Sequence, residues 1–216
     1  MSATHRHTQA CEPHTPQPRT EKREGLAPPN TPTGRKNHSM ADNAAQQKTE
    51  TFADYGVRQD ISDALAAVGI TTPFPIQTMA LPVALAGQDI IAQAQTGTGK
   101  TAAFMLPSLV RLRRFATAST SPAMHPVRML VLTPTRELAD QIDQNVQAYI
   151  KNLPLRHTVL FGGVNMDKQT ADLRAGCEIV VATVGRLLAH VKQKNINLYQ
   201  VELVVLAEAD RTLDLG

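Results

Sequence analysis

The sequence predicts an α/β domain in which a parallel sheet lies between two layers of helices. Three observations predict it. From residue 89 onward, short runs rich in branched residues recur, each run is nearly continuous in apolar character, and helix-length stretches separate them. Strands buried on both faces read as unbroken apolar runs, whereas a strand with one wet face alternates. Strand and helix in regular alternation form a sandwich that binds ligands beyond the carboxyl ends of its strands.

In chain order, residues 1–50 stand apart. They hold no Val, Ile, Phe, Tyr or Trp and are rich in Pro, Thr, His, Gln and charge. Such a segment cannot bury enough apolar surface to offset its ordering entropy, so a disordered tail is expected. Four of the seven histidines, His5, His7, His14 and His38, fall in it without metal-ligand spacing, which suits a solvated tail rather than a metal site. The tail has no apolar core of a secretory signal, and Glu12, Glu21 and Glu24 argue against a transit peptide. Met40 lies just upstream of the first structured-looking residues, and the natural start is expected there. Residues 51–216 have the size of one domain.

The first strand is expected at Asp89-Ile90-Ile91-Ala92, and directly after it stands Ala94-Gln95-Thr96-Gly97-Thr98-Gly99-Lys100-Thr101. Glycines at this spacing let the backbone turn so that consecutive N–H groups face phosphate oxygens, and the next helix adds the positive end of its dipole. Lys100 is placed to neutralise the terminal phosphates, and the Thr101 hydroxyl to hold Mg2+. The match to G-x-x-x-x-G-K-[ST] is complete except that Ala94 replaces the first glycine. The helix that follows contains Pro107, which is expected to kink it or end it near Leu106. The run Arg111-Leu112-Arg113-Arg114 reads as a solvated helix end.

Further strands are expected at Met129–Thr133, Thr158–Phe161, Glu178–Ala182 and Val201–Leu206. Between the first two lies the clearest helix, Arg136–Ile150, with Leu138, Ala139, Ile142, Val146, Tyr149 and Ile150 at helical spacing. Thr133 followed by Pro134 is its expected opening.

Composition narrows the function. No apolar run approaches the roughly eighteen residues needed to cross a bilayer. Cys11 and Cys177 form no disulfide or zinc framework, as expected of a reduced, cytoplasmic protein. Within residues 51–216, 15 Lys plus Arg face 14 Asp plus Glu. Bulk charge therefore does not mark a nucleic-acid binder, and any such claim must rest on particular residues.

Ahead of the cradle stands Gly69-Ile70-Thr71-Thr72-Pro73-Phe74-Pro75-Ile76-Gln77, with Phe52 upstream. This stretch resembles the Q motif of DEAD-box RNA helicases. Pro134-Thr135-Arg136-Glu137-Leu138-Ala139 is similar to motif Ia of that family, Gly162-Gly163 to its GG doublet, and Thr183-Val184-Gly185-Arg186 to its motif Ib. The resemblance spans Phe52 to Gly216 and implies a RecA-like P-loop domain, a three-layer sandwich that is incomplete after motif II. It implies that Gln77 reads adenine, since an amide carries a donor and an acceptor side by side. It implies further that Phe52 stacks on the base, and that Pro134, Thr135, Arg136, Gly162, Gly163, Thr183, Gly185 and Arg186 grip the backbone of one RNA strand with little sequence preference.

Two departures from the family pattern stand out. Val184 occupies a place that is usually proline, which restores an N–H and is expected to loosen the turn. Where the family has Asp-Glu-Ala-Asp, this chain has Ala207-Glu208-Ala209-Asp210. The resemblance makes the lost aspartate the anchor of Mg2+, Glu208 the group that orients and deprotonates the attacking water, and Asp210 the link to the following motif. Turnover is expected to fall by about a hundredfold or more, and nucleotide binding by less. Thr212 also stands where a larger apolar residue is common. By the same resemblance, the strand bearing the family's Ser-Ala-Thr motif, which lies between the cradle strand and the motif II strand, and the second RecA-like domain are expected to be missing from these 216 residues. The leading expectation is the amino-terminal ATP- and RNA-binding half of an ATP-dependent RNA helicase. A truncated, hydrolysis-defective fragment that binds nucleotide or RNA comes second, and an unrelated phosphate-loop enzyme, which leaves Gln77 and motif Ia unexplained, comes last.

Overall fold

A computed structural model describes residues 50–214. The expectations for the tail and for Met40 lie outside the described residues. A three-ten turn, Phe52–Tyr55, leads into α1 (Gln59–Ala66), α2 (Pro75–Leu85) and α3 (Lys100–Leu112). The alternating part follows: β1 (Met129–Thr133), α4 (Arg136–Tyr149), β2 (His157–Leu160), α5 (Met166–Ala175), β3 (Ile179–Thr183), α6 (Val184–Lys192), β4 (Leu203–Leu206) and α7 (Ala209–Asp214). All pairings are parallel, in the order β2-β3-β1-β4, with Leu130 opposite Val180 and Leu132 opposite Leu206. The carboxyl ends of all four strands therefore share one rim.

Alternate residues of the central strands serve two cores. Met129, Val131, Ile179 and Val181 pack with α1, α3 and α4 through Ile61, Leu65, Leu109, Ile142 and Val146. Leu130, Val180 and Ala182 face the opposite layer, with Leu173 of α5 and Leu187 of α6. This is the three-layer sandwich, and it explains why β1 and β3 read as continuous apolar runs. Leu109 is fully buried, so truncating it to alanine costs about 2–5 kcal/mol.

The expected strand at Asp89–Ala92 is a correction. Residues 88–95 form no regular structure, and Ile91 is 104% exposed. A strand exists through ladder bonds to a neighbour, and no described residue pairs with this segment. β4 shows the same deficit from the other side, because it pairs with β1 alone and leaves Val204 and Leu206 exposed.

Smaller corrections have local causes. Pro107 lies inside α3, which runs on to Leu112. Met105, Leu106, Leu109 and Leu112 are fully buried around it, and this packing outweighs the lost backbone bond. Helix α4 starts at Arg136, where its apolar spacing predicts it, but Thr135, not Thr133, caps it by accepting the Leu138 N–H at 3.3 Å. Glu178 precedes β3 and is fully buried. Its carboxylate meets His125 Nδ1 at 2.5 Å and accepts the Arg156 N–H at 2.8 Å, which fastens the approach to β1 against the starts of β2 and β3.

The arginine run is not simply solvated either. Arg113 pairs with Asp60 of α1 at 3.2 Å, Arg114 pairs with Glu202, and the Arg114 and Arg128 guanidinium groups lie 4.6 and 4.1 Å from the Phe115 ring centre. Cys177 is buried, and that burial pushes its thiol pKa up to about 12. No described helix is long and apolar enough to cross a membrane.

Candidate nucleotide site and nucleic-acid interface

The nucleotide cradle is built by α2 and α3 together. Gly97 and Gly99 both adopt left-handed backbone, with φ of 82°, and α3 starts at Lys100. Pro75 opens α2, and Gln77 in its first turn folds back so that its Oε1 accepts the Phe74 N–H at 2.9 Å. The other end of the same amide donates to the Gly99 carbonyl at 3.0 Å. A Cβ at Gly99 would lie 2.3 Å from Gln77 Nε2 and 2.9 Å from Phe74 Cδ2. Only glycine fits there, and the structure thus brings Gln77 and the phosphate loop into one unit across 22 residues of sequence.

Within the loop, the Thr98 hydroxyl donates to the Gln95 carbonyl at 2.6 Å, and the Lys100 ammonium bonds to the Ala94 carbonyl. Thr96 lies in the exposed turn, and Thr101 is half-buried in the first turn of α3. This donor set fits a polyphosphate: an ammonium, left-handed glycines and a helix start on one short loop. It fits a divalent cation less fully, since Thr101 offers one hydroxyl oxygen and Ala207 offers none. Phe52 requires a correction. Its side chain is 2% exposed and belongs to the main core, so it anchors the turn before α1, and its ring face is covered by protein.

Motif II lies at the end of β4. The Ala207 N–H continues the ladder by donating to the Leu132 carbonyl at 2.9 Å. Glu208 then takes left-handed backbone, with φ of 49°, a conformation that costs a non-glycine residue about 1–3 kcal/mol and is found at functional sites. Its carboxylate is half-buried and accepts from Arg211 at 3.2 Å. Asp210 is exposed. Thr212 is buried, and its hydroxyl lies 3.0 Å from the Ala207 carbonyl and 3.1 Å from that of Glu208. That hydroxyl makes threonine acceptable where an apolar residue was expected.

The proposed RNA contacts stand on the rim. Half-buried Pro134 and the cap Thr135 follow β1, and Arg136 reaches across to the Gly162 carbonyl at 3.4 Å. Gly163 has φ of 83°, and a Cβ there would lie 2.5 Å from Arg136 Nη1. Thr183 ends β3, with its hydroxyl 3.5 Å from the Leu160 carbonyl. Gly185 has open space around its Cα. Arg186 donates to the Val164 carbonyl at 3.1 Å and touches Met166 Sδ at 3.1 Å. Val184 does not loosen this turn. It is the first residue of α6, where an N–H has no intrahelical partner, so proline and valine serve alike. The sequence reading missed Gln169, which donates to the Phe161 carbonyl at 3.1 Å from behind the glycine pair. A lone glutamine in a polar helix carries no signal of that role.

A family model described as DEAD/DEAH box helicase matches residues 74–216. The chain belongs to the DEAD/DEAH box helicase family. Its relatives in that family include the ATP-dependent RNA helicase RhlB of Vibrio cholerae, 42% identical over 76% of this chain and 37% of its own length. The ATP-dependent RNA helicase DBP2 of Chaetomium globosum is 40% identical over 84% of this chain and 32% of its own. The solved structure of the RNA-helicase Prp28 from Chaetomium thermophilum bound to ADP aligns with a TM-score of 0.69 at 35% identity, covering 77% of this chain and 40% of that one. The chain thus spans about a third of the length of RhlB and DBP2, and its fold is the α/β RecA-like helicase domain.

Proposed function

We propose that this DEAD/DEAH box helicase chain is the ATP- and RNA-binding amino-terminal half of an ATP-dependent RNA helicase, with hydrolysis impaired by Ala207. ATP with Mg2+ supplies the reactive phosphoanhydride and its neutralising cation when bound. The residues of this chain do the rest. Amides around Gly97 and Gly99 hold phosphate oxygens, Lys100 exchanges the Ala94 carbonyl for the terminal phosphates, and Thr101 offers its hydroxyl to the cation. Gln77 reads adenine by exchanging its protein partners for the base edge. Glu208 orients the attacking water and accepts its proton, and Asp210 couples the site to the following motif. Arg136, Arg186, Thr135, Thr183 and the loop glycines contact the RNA backbone.

The observation that carries this reading is the joint between Gln77 and Gly99, where the buried Gln77 amide is bonded to the phosphate loop, as an amide that exchanges its partners for adenine beside the phosphates requires. A second reading, a binding module without turnover, is favoured by one specific residue: at 207 a methyl group replaces the carboxylate. Phosphoryl transfer depends on charge neutralisation and positioning, so this change alone is expected to cost about a hundredfold in rate.

Thermal unfolding with MgATP and MgGTP, alongside RNA-stimulated phosphate release by the parent chain and by Ala207→Asp, tests both readings. MgATP is expected to raise Tm, MgGTP to leave it unchanged, and phosphate release to stay at background for the parent. A cooperatively folded sample indifferent to adenine nucleotides, or equally stabilised by guanine nucleotides, would refute the site. Turnover by the parent equal to that of Ala207→Asp in the same full-length helicase background would refute the impairment.

A further inference from the structure

A buried chain of polar side chains lies behind the Gly162-Gly163 loop. Gln169 on α5 and His190 on α6 are 4% and 0% exposed. Gln169 Nε2 donates to the Phe161 carbonyl, so its Oε1 is the atom that faces His190 Nε2 at 3.1 Å. That ring nitrogen must therefore carry a hydrogen. The other ring nitrogen is left as an acceptor, and Asn195 Nδ2 stands 3.5 Å from it. Asn195 is held in place by its own N–H, which donates to the His190 carbonyl at 2.9 Å, and by Thr170 Oγ1 at 3.2 Å from its amide. Burial first, and Arg186 second, lower the His190 pKa. Both keep the ring in the neutral form that this bonding requires.

The consequence for the loop follows from peptide geometry. In a trans peptide the carbonyl and the next N–H point in opposite directions, and no described peptide bond is cis. Gln169 holds the Phe161 carbonyl, Arg136 that of Gly162 and Arg186 that of Val164. The amides of Gly162 and Gly163 are thereby turned away from these donors, and neither has a partner among the described residues. Two neighbouring free amides, one on a left-handed glycine, are donors available to an anion.

We propose that Gln169 and His190 are positioning residues for a nucleic-acid phosphate bound by the Gly162 and Gly163 amides. Gln169 fixes the Phe161 carbonyl, and His190 fixes the Gln169 amide. This rests on the RNA-binding reading above.

The test uses the 216-residue chain and a labelled single-stranded oligouridylate at fixed salt. Gln169→Met keeps the side-chain length without the bonds. His190→Leu removes the support for Gln169, whereas His190→Gln retains a donor and an acceptor. Gln169→Met is expected to weaken RNA binding about tenfold and His190→Leu about fivefold, with His190→Gln within about twofold of the parent. The MgATP-induced Tm shift is expected to stay the same in all three. The backbone amide NMR shifts of Gly162 and Gly163, measured without RNA, are expected to move in Gln169→Met and His190→Leu and to stay parent-like in His190→Gln, because Gln169 bonds the carbonyl that precedes the Gly162 N–H. Parent-like RNA binding by those two variants, or His190→Gln as damaging as His190→Leu, overturns the proposal. Unchanged Gly162 and Gly163 amide shifts in Gln169→Met also overturn it, while leaving the RNA reading intact. If the parent binds no RNA, or Arg136→Ala and Arg186→Ala bind like the parent, the RNA reading fails and the proposal fails with it.

Discussion

The loops proposed to hold RNA leave strands that have their neighbours in place, whereas the nucleotide cradle leaves a segment with no ladder at all. β1 and β3 are paired down to Thr133 opposite Thr183, and the loops beyond them are tied together by Arg136, Arg186 and Gln169. Residues 88–95 have no such support, and the cradle takes its order from Gln77 and from the start of α3. A loop inherits its rigidity from the element it leaves. RNA binding should therefore meet a surface already formed, while nucleotide binding should order its own site.

Hydrogen exchange gives the largest contrast. Amides of residues 89–98 should exchange on the order of a thousandfold faster than those of Val131 and Val181, and MgATP should slow the first group alone. Equal protection of the two groups would break the comparison. Next, Lys100→Ala should lower adenine-nucleotide affinity by about a hundredfold while RNA affinity at fixed salt stays within about twofold. Loss of both, measured by calorimetry and by RNA titration, would mean that the two regions are coupled rather than separate. Arg186→Ala should do the converse, weakening RNA binding about tenfold and reducing the salt slope by about one, with nucleotide binding unchanged.

The smaller effects sharpen the same contrast through stability. Thr135→Ala removes the cap of α4 and should cost about 1 kcal/mol in denaturant unfolding. A comparable loss from Thr98→Ala would contradict the weaker fastening of the cradle. The pH dependence concerns His190, whose folded pKa is lowered from the ordinary 6.5 by burial. As pH falls, the unfolded chain takes the proton first, so this contribution is complete above about pH 6.5 and is lost as pH drops toward the lower folded value. Stability curves between about pH 7 and about pH 5 should show the decline in the parent, and His190→Gln should flatten it.

Much of this was legible from local patterns. Four strands of the sheet lie within a residue or two of where their apolar runs predict them, because a buried parallel strand needs unbroken apolar character. Helix α4 follows from its 3.6-residue spacing, and the cradle follows from glycines whose left-handed backbone the structure contains. The motifs that resemble the family required only short stretches of chain, and the family model covers them from Phe74 onward.

The sequence by itself determined the layered α/β class, the helix and strand types, and the phosphate loop, since each depends on residues within one or two turns of one another. Only the tertiary structure decided that Asp89–Ala92 is no strand, because a strand needs a neighbour that composition does not reveal. It also buried Phe52, carried α3 through Pro107, turned Arg113 and Arg114 toward acidic partners, and set Gln169 behind the glycine loop. Those outcomes depend on side chains that are remote along the chain and meet only once the sheet has brought the elements together.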